Sequence, residues 1–182
     1  MTSNALRGVI LAAAFFGGLA QAAETPSHHA RIAQALEALD EADAAGEGRA
    51  LAVIAGFSPR PLGEGDDPLA ELRLIYGLSD DAAGSPGRGA TRGPQMRNAV
   101  LAPGETEDLP LSFLAGETAI LTLQGSGGVA LEVTGDAAGE VCAMNTSGAA
   151  VTCEWTPTVS EVFALTVRSE ADEAVRYTIL SN

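Results

Sequence analysis

The sequence contains no lysine, and its ten basic residues, all arginine, face 24 aspartates and glutamates, for a formal net charge of −14. A chain this acidic repels nucleic acid and anionic lipid, both of which are bound through a basic footprint. Cationic partners and calcium remain compatible with the charge, and solubility is its plainest consequence. Histidine is almost as scarce: the pair His28 and His29 is all there is. A nucleophilic triad needs an imidazole held on a rigid frame, and these two sit close to the start of the mature chain, where chains fray. Adjacent positions on a helix also point roughly 100 degrees apart, so the pair suits one tetrahedral metal poorly. Aromatics make up 4% of the chain, with one tryptophan, two tyrosines and five phenylalanines, so few rings are left over for a sugar-stacking platform. The two cysteines, Cys142 and Cys153, lack the C-x-x-C spacing of redox and zinc motifs. Gly125-Ser126-Gly127-Gly128 does not lead into a helix, which excludes a phosphate loop and leaves a hairpin turn.

What is present begins with an export signal. Arg7 supplies a positive n-region, Gly8 to Leu19 is an apolar run, and Ala20-Gln21-Ala22 is a small-x-small cleavage site. The run is shorter than the roughly 20 apolar residues that span a bilayer. Residues 1–22 are therefore expected to be removed, leaving a chain without a membrane span in the periplasm or the medium. No cysteine follows the cleavage site, so a lipid anchor is not expected. Loss of Arg7 takes the formal charge of −14 one unit lower. An oxidising compartment turns Cys142 and Cys153 into a disulfide candidate.

Residues 23–78 read as a helical segment. Ser27 is a fitting N-cap, Ile32, Ala35, Leu36 and Leu39 recur at helical spacing, and Gly46 is a natural stop. Leu51, Val53, Ile54 and Phe57 precede Ser58-Pro59 and are read as a second helix, with a strand as the alternative for so short a run. Asp66 or Asp67 caps a third helix, Pro68 takes its first turn, Leu69, Leu72, Ile75 and Tyr76 form its stripe, and Gly77 ends it. Residues 79–99 are rich in glycine, proline and serine and read as a linker or exposed loop. Arg88, Arg92 and Arg97 form a basic cluster there, able to dock on the acidic sandwich or on a partner.

From about residue 100 to 182 the apolar period changes from helical to two. Leu109, Leu111 and Phe113; Ala119, Leu121 and Leu123; and Val129, Leu131 and Val133 alternate with polar or small residues. The two cysteine strands, then Phe163, Leu165 and Val167, and finally Val175, Tyr177 and Ile179 complete about seven short strands at spacings of roughly 8–12 residues, the pattern of an antiparallel sandwich. The fold class expected is α+β: a C-terminal, jelly-roll-like antiparallel β-sandwich preceded by a small helical segment. Alternation sets Val151, Cys153 and Trp155 on one face, the core face, and Thr152, Glu154 and Thr156 on the other. A Cys142–Cys153 bridge across so small a core would contribute on the order of 3 kcal/mol by chain entropy.

The segments Leu114-Ala115-Gly116-Glu117-Thr118-Ala119, Leu131-Glu132-Val133, Gly139-Glu140-Val141-Cys142, Cys153-Glu154-Trp155-Thr156-Pro157, Phe163-Ala164-Leu165-Thr166-Val167 and Tyr177-Thr178-Ile179 together resemble the bacterial pre-peptidase C-terminal domain. That resemblance covers about residues 100–182 and implies a jelly-roll-like sandwich with an accessory role in secretion, adhesion or interdomain contact. Two departures stand out. No protease domain lies upstream, and Glu161-Val162-Phe163 replaces the family's Gly-Tyr before the penultimate strand. Calcium, bound by some members of the family, has no assignable ligands here because no Asp-x-Asp loop occurs.

No catalytic residue and no cofactor is assigned. The carboxylate groups Glu105, Glu107 and Asp108, and Glu170, Asp172 and Glu173, fall at strand ends or turns and read as solvated loops, since nothing in the pattern buries one in a cleft. The expected function is that of an exported, non-enzymatic binding or accessory protein for a protein or envelope partner. Thr152, Glu154, Trp155, Arg88, Arg92 and Arg97 are its candidate contacts, together with the apolar helix stripe, unless that stripe covers a sheet face. Trp155 is read as packed inward on the disulfide, and outward it would be a stacking platform. A carbohydrate-binding module is the alternative, followed by an accessory part of a secreted hydrolase system.

Overall fold

The computed structural model describes residues 27–41, 44–63, 66–78 and 93–182. Residues 1–22, read as an export signal, lie outside them, as do Arg88, Arg92 and most of the segment read as a linker. Three helices precede the sandwich: α1 (His28–Glu41), α2 (Ala44–Gly56) and α3 (Pro68–Tyr76). The strands are β1 (Arg60–Pro61), β2 (Gln95–Leu101), β3 (Thr106–Phe113), β4 (Ala119–Gly125), β5 (Val129–Gly135), β6 (Gly139–Thr146), β7 (Val151–Trp155), β8 (Glu161–Ser169) and β9 (Val175–Ser181).

Local chemistry explains the helix ends. Ser27 Oγ accepts from Ala30 N at 3.1 Å and opens α1. Asp67 accepts from Leu69 N at 3.0 Å, Pro68 takes the first turn of α3, and Gly77 closes it in the left-handed conformation at φ 66°, where a Cβ would be strained. Gly46, expected as a stop, instead lies inside the first turns of α2. The buried run Ala50, Leu51, Ile54 and Ala55 that follows outweighs the roughly 1 kcal/mol that an interior glycine costs.

Two sheets stack face to face, antiparallel throughout except where the short β1 runs parallel to β2. Sheet A has the order β1-β2-β9-β4-β7 and sheet B the order β3-β8-β5-β6. Leaving out the two-residue β1, these are the paired four-stranded sheets of a jelly roll. Strand β2, which the sequence pattern did not reveal, corrects the reading of residues 95–99 as linker. β2 begins at Gln95 and pairs along its whole length with β9, from Gln95↔Ser181 to Leu101↔Val175. Arg97 and Asn98 interrupt its apolar pattern, yet both find partners. The approach to β2 depends on Gly93, where a Cβ would overlap the carbonyl oxygens of Phe57 and Ser58.

The sandwich core lies between the sheets. Leu121, Leu123, Tyr177 and Ile179 of sheet A meet Leu131, Val133, Phe163, Leu165 and Val167 of sheet B. A second core lies on the other side of sheet A. There Ile32, Leu36 and Leu39 of α1, Leu51 and Ile54 of α2, and Leu69 and Leu72 of α3 close over Met96 and Leu180. The helix stripe is thus spent on the sheet, and β4 and β9 are buried on both faces.

The disulfide Cys142–Cys153 joins β6 of sheet B to β7 of sheet A, so it staples the two layers at one edge of the roll. Reducing it, or replacing Cys153 by serine, should remove on the order of 3 kcal/mol and lower the Tm by roughly 6–12 °C. Calorimetry with and without reductant reads this directly, and an unchanged midpoint would mean that the bridge carries no stability.

Candidate functional site

The outer face of sheet A, beneath the helices, is unusually polar for a covered surface. Register places Asn98, Thr178 and Gln124 in one row across β2, β9 and β4, and Met96, Leu180, Thr122 and Thr152 in the next. Burial without partners would cost each polar group several kcal/mol, of order 1–3 on protein scales. Each has one. Thr178 donates to Asn98 Oδ1 at 2.8 Å, and Asn98 Nδ2 donates to the carbonyl of Pro68 at 3.1 Å. Gln124 reaches the α1 backbone, with its amide turned so that nitrogen donates to Ala33 O and oxygen accepts from Glu37 N, both at 3.2 Å. His29 Nδ1 lies 3.1 Å from Thr122 Oγ1, which lies 2.9 Å from Thr152 Oγ1. Thr152 therefore ends a hydrogen-bonded chain that starts in α1, with its own side chain still exposed. Glu154, two residues on, is exposed on the same face.

Arg97 is not part of a free basic cluster. Its guanidinium donates to Glu71 of α3 at 2.9 Å and to Glu107 of β3 at 2.9 Å, joining the helical layer to sheet B. Burial works against the Arg97 charge, but Glu107, by charge and hydrogen bond, and Glu71 outweigh it and raise its pKa. Tyr177 Oη donates to the other oxygen of Glu107 at 2.6 Å. Burial first, then that carboxylate, drives the Tyr177 phenol well above its ordinary range. A comparable group joins α1, α3 and β9: Tyr76 donates to Asp40 at 2.9 Å, Arg176 donates to the same oxygen at 2.7 Å, and the Arg176 guanidinium stacks 4.8 Å over the Tyr76 ring. Burial, then Asp40, pushes the Tyr76 phenol up to about 12. These groups act as clasps between layers; each shifted phenol already donates to a carboxylate.

Trp155 faces the sandwich core at one end. Its ring sits edge-on to Phe113 at 4.9 Å and to Phe163 at 5.7 Å, and its indole Nε1 is buried without a partner. Phe57 is covered by Arg31 at 4.9 Å and His28 at 5.1 Å. With Tyr76 and Tyr177 engaged as above, the described aromatic rings are stacked, buried or clasped. None is a bare platform.

The outer face of sheet B, by contrast, carries no covering layer among the described residues. Pro110, Val162 and Ala164 form the floor of a shallow groove of about 570 Å³, and Thr134, Asp108 and Asp136 line its rim. Val162 is 56% exposed, an open apolar side chain in a strand. In the next row, Thr166 stands between Asp108 and Glu132 and donates to Asp108 Oδ1 at 2.8 Å. The sequence signal for this site was the outward half of the strand alternation, where apolar Val162 stands among polar and small residues that a core-directed reading passes over. Among the described residues no group of three or more His, Cys, Asp or Glu is arranged to hold a metal ion.

No protein-family profile matches the chain, and no curated protein matches its sequence. Solved structures overlap it loosely. PliG, a periplasmic inhibitor of g-type lysozyme from Aeromonas hydrophila, is 13% identical with a TM-score of 0.39, covering 53% of this chain and 90% of its own. A de novo designed double-stranded β-helix is 14% identical with a TM-score of 0.34, covering 48% and 99%. A variant of a family 29 carbohydrate binding module is 18% identical with a TM-score of 0.31, covering 50% and 71%. Superpositions this loose assign no ligand and no activity to the chain.

Burial lowers the pKa of His29 from its ordinary value of 6.5, and His28 pushes the same way. The unfolded chain therefore binds this proton more readily than the folded one. The stability held by neutral His29 is full above about pH 6.5 and falls as the pH drops below it toward the folded value. The Tm of the native chain should fall between about pH 7.5 and 5.5 by more than that of His29→Gln. Parallel Tm profiles for the two proteins would remove His29 from the helix–sheet contact.

Proposed function

We propose that this chain is an exported, non-enzymatic binding protein that takes a cationic partner protein on the uncovered outer face of sheet B. The observation that carries this is the groove at Pro110, Val162 and Ala164, edged by Asp108 and Asp136. An apolar floor beside carboxylates suits a long basic side chain, whose methylene stem lies on the floor while its head reaches the acids. The net charge of −14 would draw such a partner in and discourage acidic ones. The disulfide and the leader-like N-terminus support an oxidising compartment, periplasm or medium. An accessory sandwich of the pre-peptidase C-terminal kind fits the same role.

A sugar-binding reading would require an aromatic platform, and the rings that could supply one are committed elsewhere. A hydrolase would require a poised acid, base or nucleophile in a cleft, and the shifted phenols are locked in clasps instead.

Basic envelope proteins retained on the immobilised full chain should elute as salt rises above about 0.15 M, where screening shortens the reach of exposed charge to roughly 8 Å. Asp108→Lys combined with Asp136→Lys should cut the captured amount about fivefold or more without changing the Tm by more than a few degrees. Capture that ignores both salt and the charge reversal would overturn the reading.

A further inference from the structure

The roll has four edge strands, and they are not equally protected. β1 adds two residues along β2 and then stops, and beyond it the Glu71 carboxylate accepts from the free Asn98 N–H at 3.1 Å. β3 carries Pro110 at a central position. Ser169 N donates to Glu105 O at 2.9 Å, which turns the odd-numbered backbone groups of β3 toward β8 and the even-numbered ones outward. Pro110 therefore removes an outward N–H, a device that blocks strand addition. β6 is paired through a bulge at Val133/Thr134, which twists an edge away from a flat partner.

β7 has none of these devices. Asn182 N donates to Ile120 O, and Ser126 N donates to Arg176 O, so the even-numbered backbone groups of β4 face β9. Its odd-numbered groups face β7 and meet Trp155, Cys153 and Val151. Alternation then turns the N–H and C=O of Thr152 and Glu154 away from the sheet, to an open edge. Both residues are exposed, and no hydrogen bond satisfies those outward groups among the described residues. The disulfide at Cys153 holds this edge in place from the other side.

We infer that β7 accepts an extended, basic segment of the partner protein as an added antiparallel strand of sheet A. The inference rests on the cationic-partner reading and adds a second contact for the same partner, at the β7 edge of sheet A and apart from the groove on sheet B. Main-chain bonds to Thr152 and Glu154 give the ladder, and alternate side chains of the added strand lie beside Glu154 on the outer face. A second copy is the wrong occupant: it would bring two Glu154 carboxylates together on one edge and add two chains of formal charge −14.

The test uses the full chain, a short peptide alternating arginine with valine, the same peptide N-methylated on the amides of one edge, and a peptide alternating glutamate with valine. The arginine peptide should bind and slow hydrogen exchange at the Thr152 and Glu154 amides, while the glutamate peptide should not bind. N-methylation should weaken binding about tenfold or more, because it removes donors but no charge. Thr152→Pro should do the same, since it deletes an outward N–H, as Pro110 does on β3; should that variant not fold, the N-methylated peptide decides alone. Equal binding of the two arginine peptides, or binding without protection at Thr152 and Glu154, overturns strand addition and leaves the cationic-partner reading standing. Absence of arginine-peptide binding, with salt-sensitive capture of basic envelope proteins intact, also overturns strand addition alone. Failure of both assays sinks both.

Discussion

Sheet A is buried from both sides, and most of the structure follows from that. One face must be apolar to meet sheet B, and Leu121, Leu123, Tyr177 and Ile179 make it so. The other face meets three helices, yet it buries Asn98, Thr122, Gln124 and Thr178 beside just two large apolar residues, Met96 and Leu180. Desolvation of those four groups is affordable because each is hydrogen-bonded to a neighbour or to a helix backbone. A partly satisfied polar layer costs more than an apolar one, so this layer also dictates where α1 and α3 must sit. Gln124 reads two backbone groups of α1, and Asn98 reads the carbonyl that opens α3. The helices are positioned by hydrogen bonds and stabilised by the Ile32, Leu36, Leu51 and Leu72 cluster.

The layers are then clasped at their margins. Arg97 sits in sheet A with one carboxylate from the helical layer and another from sheet B, so a single guanidinium touches all three layers. Its pairs are half-buried, and exposed ion pairs contribute little, so geometry is the larger part of its role. Planar forks suit two carboxylates at fixed angles, which an ammonium does not. A chain without lysine has kept arginine where the layers meet.

The parts of the fold governed by one period were legible in the sequence. β5 and β8, buried on a single face, show strict alternation, and α3 announces itself through Asp67, Pro68 and Gly77. Legibility fails where two layers compete for one strand. In β2 the outer residues answer to the helices and the inner ones to sheet B, so Arg97 and Asn98 read as loop residues until their partners are known. The same competition hides the helical cover: an amphipathic stripe says that something is buried, not against what. Gly46 misled for a different reason, since packing of α2 overrode a local propensity. The groove on sheet B was missed because its residues are the outward half of an alternation, which identifies a surface without marking it as a site. Arg88 and Arg92 lie outside the described residues.

What remains exposed is therefore informative by contrast with what is engaged. The rings and shifted phenols, groups from which a sugar site or a catalytic site would be built, are stacked or clasped between layers. The carboxylates Asp108, Glu132 and Glu154 are left facing solvent. Asp108 edges the apolar groove on sheet B, and Glu154 lies on the open β7 edge of sheet A, an arrangement that under the proposed reading would discriminate partners by charge and hold them by main-chain geometry. Both are equilibrium properties, and neither requires a reaction. The disulfide belongs to the same logic. A short edge strand such as β7 is the element most prone to fray, and a bridge to β6 keeps its outward amides at a constant spacing. A rigid template binds an extended chain with less ordering cost than a mobile one. The staple that stabilises the roll thus also anchors its open edge.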